Sequence, residues 1–110
     1  MAIINTTRIS EIKKDKIMLA LNFIEAESRR EKVIDKVILF GSCITDNCTE
    51  ASDIDICLVS KYDCKNKNFF NIYGGLPLIL DDACDILIYS KLHGALKAEI
   101  DKNGVVVYES

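Results

Sequence analysis

Apolar and polar residues alternate along the chain in blocks whose period changes. From residue 8 to about 31 the apolar positions follow a helical stripe, with Ile17, Ala20, Leu21 and Ile24 at i, i+3, i+4 and i+7. Ile12, Leu19 and Phe23 widen that side, Lys13, Lys14 and Lys16 mark the first turns as solvated, and Thr7 or Ser10 can cap the start. The mixed charges of residues 25–32 read as a solvated face with i,i+4 pairs. The pattern then becomes that of strands. Residues 36–40 are a short run of bulky and β-branched side chains ended by Gly41-Ser42. Residues 53–59, 84–89 and 105–108 form three further strand patterns. Between them, residues 43–51 read as a short helix followed by a loop, and residues 63–73 as a loop leading into a helix. Gly74-Gly75 reads as a turn, and residues 76–80 as either a strand or a buried connection. Phe69-Phe70 and Ile72-Tyr73 read as core. Ser90 can cap a helix over 91–102, with Leu92, Leu96 and Ile100 on one side, which Asn103-Gly104 closes through a left-handed residue.

Helices alternating with strands, without linker or repeat, predict a single domain over residues 1–110. Its fold class is α/β (α+β), a small mixed β-sheet with helices packed on it. The length of 110 residues supports one core. Apolar runs such as Ile17–Leu21 and Val37–Phe40 fall well short of the roughly 20 residues of a membrane span. The first residues lack the basic start and long apolar stretch of a secretory signal, so a cytoplasmic location is expected. Cys43, Cys48, Cys57, Cys64 and Cys84 include no C-x-x-C pair and His93 is the one histidine, which argues against zinc and for reduced, mostly buried thiols. His93 itself reads as a surface or capping residue.

Charge directs the search for chemistry. Residues 1–36 hold eight Lys/Arg against six Asp/Glu, whereas residues 37–110 hold six against eleven. So acidic a chain lacks the basic footprint of a nucleic-acid binder. Local acidity can instead mark a divalent-cation site. In the second strand Asp53, Asp55, Cys57 and Val59 share one face and Ile54, Ile56 and Leu58 the other, with the two carboxylates roughly 7 Å apart at Cβ. Carboxylates this close need a proton, a cation or open water. Asp85, at the start of the third strand, adds a third if the two strands pair, and an all-oxygen set favours magnesium or manganese over zinc. Gly41 lets backbone approach a ligand and Ser42 can cap the following helical turn, which is the geometry of a phosphate cradle and also of a plain structural turn. No Gly-Lys-Ser/Thr follows, so it is not a P-loop.

Gly41-Ser42, ten intervening residues and then Asp53-x-Asp55 resemble the signature of the polymerase-beta-like nucleotidyltransferase superfamily. Within it the chain is similar to the minimal nucleotidyltransferases, including the MNT antitoxins paired with HEPN-domain toxins. The resemblance extends over the leading helix, Leu39-Phe40-Gly41-Ser42, Ser52-Asp53-Ile54-Asp55-Ile56, Asp85-Ile86-Leu87-Ile88-Tyr89 and the closing residues 100–108. It implies the polymerase-beta-like fold and transfer of a nucleotide, by family default AMP from ATP. It also implies two Mg2+ ions on Asp53, Asp55 and Asp85, with Asp85 assisting deprotonation of the acceptor, and β- and γ-phosphates on Gly41 and Ser42. The implied acceptor is a tyrosine hydroxyl of a HEPN toxin. Two alternatives are a non-catalytic binding antitoxin and an aminoglycoside-like small-molecule enzyme completed by a homodimer. One departure stands out: many relatives carry a small residue, Arg and Gly where this chain has Ile44, Thr45 and Asp46, which removes a charge-assisted phosphate contact.

Overall fold

A computed structural model describes residues 2–29 and 31–110. Five strands form one sheet in the order β1-β5-β2-β3-β4, where β1 is Ala2–Ile3, β2 Lys36–Phe40, β3 Ile54–Val59, β4 Cys84–Ile88 and β5 Val105–Glu109. Only β3 and β4 run parallel; the other pairs are antiparallel. Three helices accompany the sheet: α1 at Lys14–Glu27, α2 at Lys67–Ile79 and α3 at Gly94–Asn103.

The alternation within each strand sorts the side chains into two layers. Val37 and Leu39 of β2, Ile54, Ile56 and Leu58 of β3, and Val105 and Val107 of β5 face the main core. There they meet Ile17, Leu21 and Ile24 of α1 and Phe69, Ile72 and Leu76 of α2. On the opposite face Ile38, Cys57 and Ile100 of α3 form a smaller core, flanked by Phe40, Val59, Leu87 and Leu92. The acidic face of β3 is therefore half roofed by α3.

Several boundaries differ from the sequence pattern, each for a local reason. The leading helix starts at Lys14, after a 3-10 turn at Thr6–Arg8, with neither Thr7 nor Ser10 capping it. Ile9 is buried and the Ser10 N–H donates to the Cys43 carbonyl at 2.8 Å, so this segment is spent on docking to the domain. Lys13, expected in solvent, is buried, and its ammonium donates to the Glu50 carbonyl at 2.9 Å. The helix ends at Glu27, which takes Glu31 and Lys32 off it, and the described residues of 25–32 form no ion pairs with one another; Arg30 lies outside the described residues. Helix α2 runs straight through Gly74, Gly75 and Pro77, where a turn was expected. Asn66 caps it by accepting from the Phe69 N–H at 3.0 Å, and Phe69, Ile72 and Leu76 bury a continuous stripe against α1. Gly75 passes the Phe23 ring so closely that a Cβ would lie 2.7 Å from it. Phe70, read as core, points outward from this helix.

Strand β4 ends at Ile88, with Tyr89 opening a 3-10 turn, and α3 begins at Gly94 rather than 91 because that turn takes up Tyr89–Lys91. His93 occupies the N-cap position, exposed and without a side-chain cap bond. Gly104 ends α3 in extended rather than left-handed conformation, at φ −64° and ψ 152°. A Cβ there would lie 2.5 Å from both the Ile100 carbonyl oxygen and Cγ2 of Ile38. All five cysteines are free; Cys43, Cys48 and Cys57 are buried, and burial pushes the thiols of Cys43 and Cys57 up to about 11. Gly104→Ala is expected to lower the free energy of unfolding by about 1–3 kcal/mol through overpacking, measured as a lower urea midpoint.

Candidate active site

The β2-β3-β4 pairing positions the acidic residues. Phe40 is the register partner of Asp55 across the antiparallel pair, and Asp85 is the partner of Asp55 across the parallel pair. Partner residues project from the same face, and neighbouring strands lie about 4.8 Å apart, so Asp55 and Asp85 stand side by side. Asp53 lies just before β3 and is exposed, as is Asp85, while Asp55 is half-buried. Burial first, then the charges of Asp85 and Asp53, push the Asp55 carboxyl above its ordinary value.

Immediately after β2 the chain turns at Gly41, in left-handed conformation at φ 74°. A Cβ on Gly41 would fall onto Oδ2 of Asp55. Glycine is thus needed here twice, for the turn and for the carboxylate lying against it. The predicted helix start after Gly41-Ser42 is a single 3-10 turn, Gly41–Ile44, with no side-chain cap from Ser42. Thr45 ends it: its backbone is extended, its hydroxyl donates to the Ser42 carbonyl at 3.0 Å and accepts from the Asn47 N–H at 3.1 Å. One short turn lacks the summed dipole of a helix, so any anion held here relies on individual N–H groups and nearby cations.

A cavity of about 540 Å³ opens beside this turn, lined by Phe40, Gly41, Ser42, Asn103, Glu99 and Arg8 among others. That volume lies within the roughly 300–1,000 Å³ of ligand pockets. Asp46 belongs to a neighbouring cavity of about 400 Å³ and does not line the first. At the open edge of the sheet Asp85 lines a cleft of about 320 Å³ with Tyr73, Pro77 and Ile86. Tyr89 secures α3 over this face by donating from its hydroxyl to Asp101 at 2.6 Å. Arg8 belongs to no motif; only the docking of the leading segment reveals its place.

Among the described residues, no three acidic, cysteine or histidine side chains converge as a ready cage for a metal. The donor set nonetheless suits Mg2+, which retains water and takes one or two carboxylates together with substrate phosphates rather than a closed protein cage. The raised Asp55 carboxyl ties stability to pH. Unfolded, the group ionises near 3.8; folded, it keeps its proton to higher pH. The folded chain therefore binds more protons in that interval, and stability falls as pH rises through it. Asp55→Asn is expected to stabilise the metal-free protein against urea at pH 7, with the gain vanishing as the pH falls below 3.8.

The family model described as Polymerase beta, Nucleotidyltransferase matches residues 22–110. No curated protein matches the chain. Among solved structures, a toxin-antitoxin with AMP-PNP aligns at TM-score 0.61 and 20% identity, covering 87% of this chain and 73% of that one. The toxin-antitoxin MntA-HepT aligns at TM-score 0.56 and 20% identity, covering 84% and 73%. A tri-AMPylated Shewanella oneidensis HEPN toxin in complex with its MNT antitoxin aligns at TM-score 0.57 and 21% identity, covering 84% and 72%. At these identities the structures establish a shared fold, and the family match extends from the middle of α1 to the last residue. The chain belongs to the polymerase-beta nucleotidyltransferase family.

Proposed function

We propose that this chain is an antitoxin that transfers AMP from ATP to a tyrosine hydroxyl of a HEPN-domain toxin, with Mg2+ as cofactor. The observation that carries the reading is the crowding of Asp55 between Asp85 and Gly41, a glycine that itself lines an open cavity. Carboxylates so placed gain from a divalent cation, and the glycine turn beside them is free to meet phosphate. The fold neighbours are consistent with it, since they include an AMP-PNP complex and an AMPylated HEPN toxin.

In this scheme Gly41 and Ser42 hold the β- and γ-phosphates, Gly41 because no side chain intervenes and Ser42 through its hydroxyl and N–H. Asp53, Asp55 and Asp85 hold the metal, which when bound neutralises the triphosphate and the leaving pyrophosphate. Asp85, reachable from the cleft at the sheet edge, orients the acceptor hydroxyl and takes its proton. The tyrosine oxygen bonds to the α-phosphorus as the bond from that phosphorus to the bridging oxygen breaks, and pyrophosphate leaves. The N–H and hydroxyl of Thr45, which ends the Gly41–Ile44 turn, both donate to the Ser42 carbonyl and hold the turn's backbone, the preorganisation such chemistry requires.

Incubation of the chain with α-labelled ATP, Mg2+ and a purified HEPN-domain toxin that it binds tests the reading. Label is expected on the toxin, abolished by chelation and reduced at least about 100-fold in Asp53→Asn/Asp55→Asn, as fits loss of transition-state charge stabilisation. A tight complex that never acquires label would overturn catalysis in favour of neutralisation by binding. Label on an aminoglycoside but never on protein would point to a small-molecule acceptor.

A further inference from the structure

Arg8 stands outside every motif, yet the fold spends several contacts to hold it beside the Gly41-Ser42 turn. On one side of it Asn5 donates from its side-chain amide to the Val106 carbonyl at 2.7 Å, and the Ile4 N–H donates to Val107 at 2.9 Å. On the other side Ile9 is buried, and Ser10 donates to Cys43, within the turn itself. Between these anchors Arg8 closes a 3-10 turn whose backbone is fixed by its own N–H to the Asn5 carbonyl at 3.0 Å. Its side chain is exposed and, among the described residues, makes no ion pair or hydrogen bond. Among the described residues it is the one basic residue lining the cavity beside Gly41 and Ser42, and it also lines the adjoining one. Glu99 shares the first cavity and Asp46 and Glu11 the second, all without pairing with it. Glu99 accepts from Asn103. Among the described residues nothing therefore uses this guanidinium, although the backbone carrying it is pinned on both sides.

We propose that Arg8 is a phosphate-binding residue, its guanidinium pairing with the terminal phosphates of a nucleotide seated on Gly41 and Ser42. The inference rests on the nucleotide reading above and adds the cation that the turn lacks: Thr45 and Asp46 supply none, and a single 3-10 turn supplies little dipole. A guanidinium presents a planar fork of donors that matches two phosphate oxygens at once, and its charge persists at every working pH. Arg8 acts here in binding, remote from the acceptor cleft at Asp85.

Titration calorimetry of the intact protein with MgATP, and with AMP, tests the assignment. Arg8→Ala is expected to weaken MgATP about 10- to 100-fold, as loss of a charged hydrogen-bond pair does, and to leave AMP affinity within about twofold. Arg8→Lys should recover part of the loss, since it restores charge without the fork. Asp55→Asn in the same titration separates this proposal from the one beneath it. MgATP binding unchanged in Arg8→Ala but weakened in Asp55→Asn overturns the role of Arg8 alone. Equal weakening of ATP and AMP in Arg8→Ala also overturns it, because a local structural defect would do that. Binding indifferent to both substitutions overturns the nucleotide reading and this inference together.

Discussion

The parallel pairing of β3 with β4 sets Asp55 directly beside Asp85, and the antiparallel pairing of β3 with β2 brings the turn at Gly41 against the same carboxyl. Two like charges at neighbouring register positions repel unless a proton, water or a cation intervenes. The fold does not relieve this repulsion with a basic partner: among the described residues, neither Asp55 nor Asp85 takes part in an ion pair. It leaves Asp85 and Asp53 exposed and half-buries Asp55 beneath a residue that has no side chain. A purely structural sheet would gain from replacing these acids, and in the proposed function their charge is balanced by a bound cation.

The rest of the domain holds that end in register. Two helices on one face supply the apolar core that fixes β2, β3 and β4, and α3 caps the other face only in part, leaving room beside Phe40 and Gly41. The leading segment contributes a further piece: Ile9 enters the core while Arg8 stays outside it, so hydrophobic burial of one residue positions the cation next to it. Tyr89, bonded to Asp101 and lying under Lys97 at 5.3 Å, ties α3 to the end of β4.

The strands were legible because each carries a period-2 pattern, and the faces of β3 follow from it: Ile54, Ile56 and Leu58 enter the main core, and Cys57 lies on the other side. Asp85 joined the pair in the sequence only on the condition that the two strands pair, because a period-2 pattern fixes which face a residue takes and not which strand lies beside it; the parallel pairing of β3 with β4 supplies that neighbour. The first part of α2, up to Tyr73, was legible, but its continuation was not, because Gly74, Gly75 and Pro77 outweigh the stripe of Phe69, Ile72 and Leu76 when only local propensity is weighed; the close approach of Phe23 supplies the reason for Gly75. The start of α1 was missed for the converse reason, since residues 8–13 have a helical pattern but their backbone is used to dock Ile9 and Ser10. Arg8 was invisible because its position depends on a contact between segments far apart in the chain. Gly104 was recognised as a helix stop, although packing against Ile38 and Ile100, not a left-handed backbone, requires glycine there.

Cation capture by the acids at the end of β3 and β4 is the central claim. Anomalous scattering from crystals grown with Mn2+ and a non-hydrolysable ATP analogue measures it directly. A strong manganese peak within coordination distance of Asp53, Asp55 or Asp85 oxygens, bridged to the analogue's phosphates, is the result the account predicts. Manganese absent from this site, with the phosphates bound elsewhere, would contradict it.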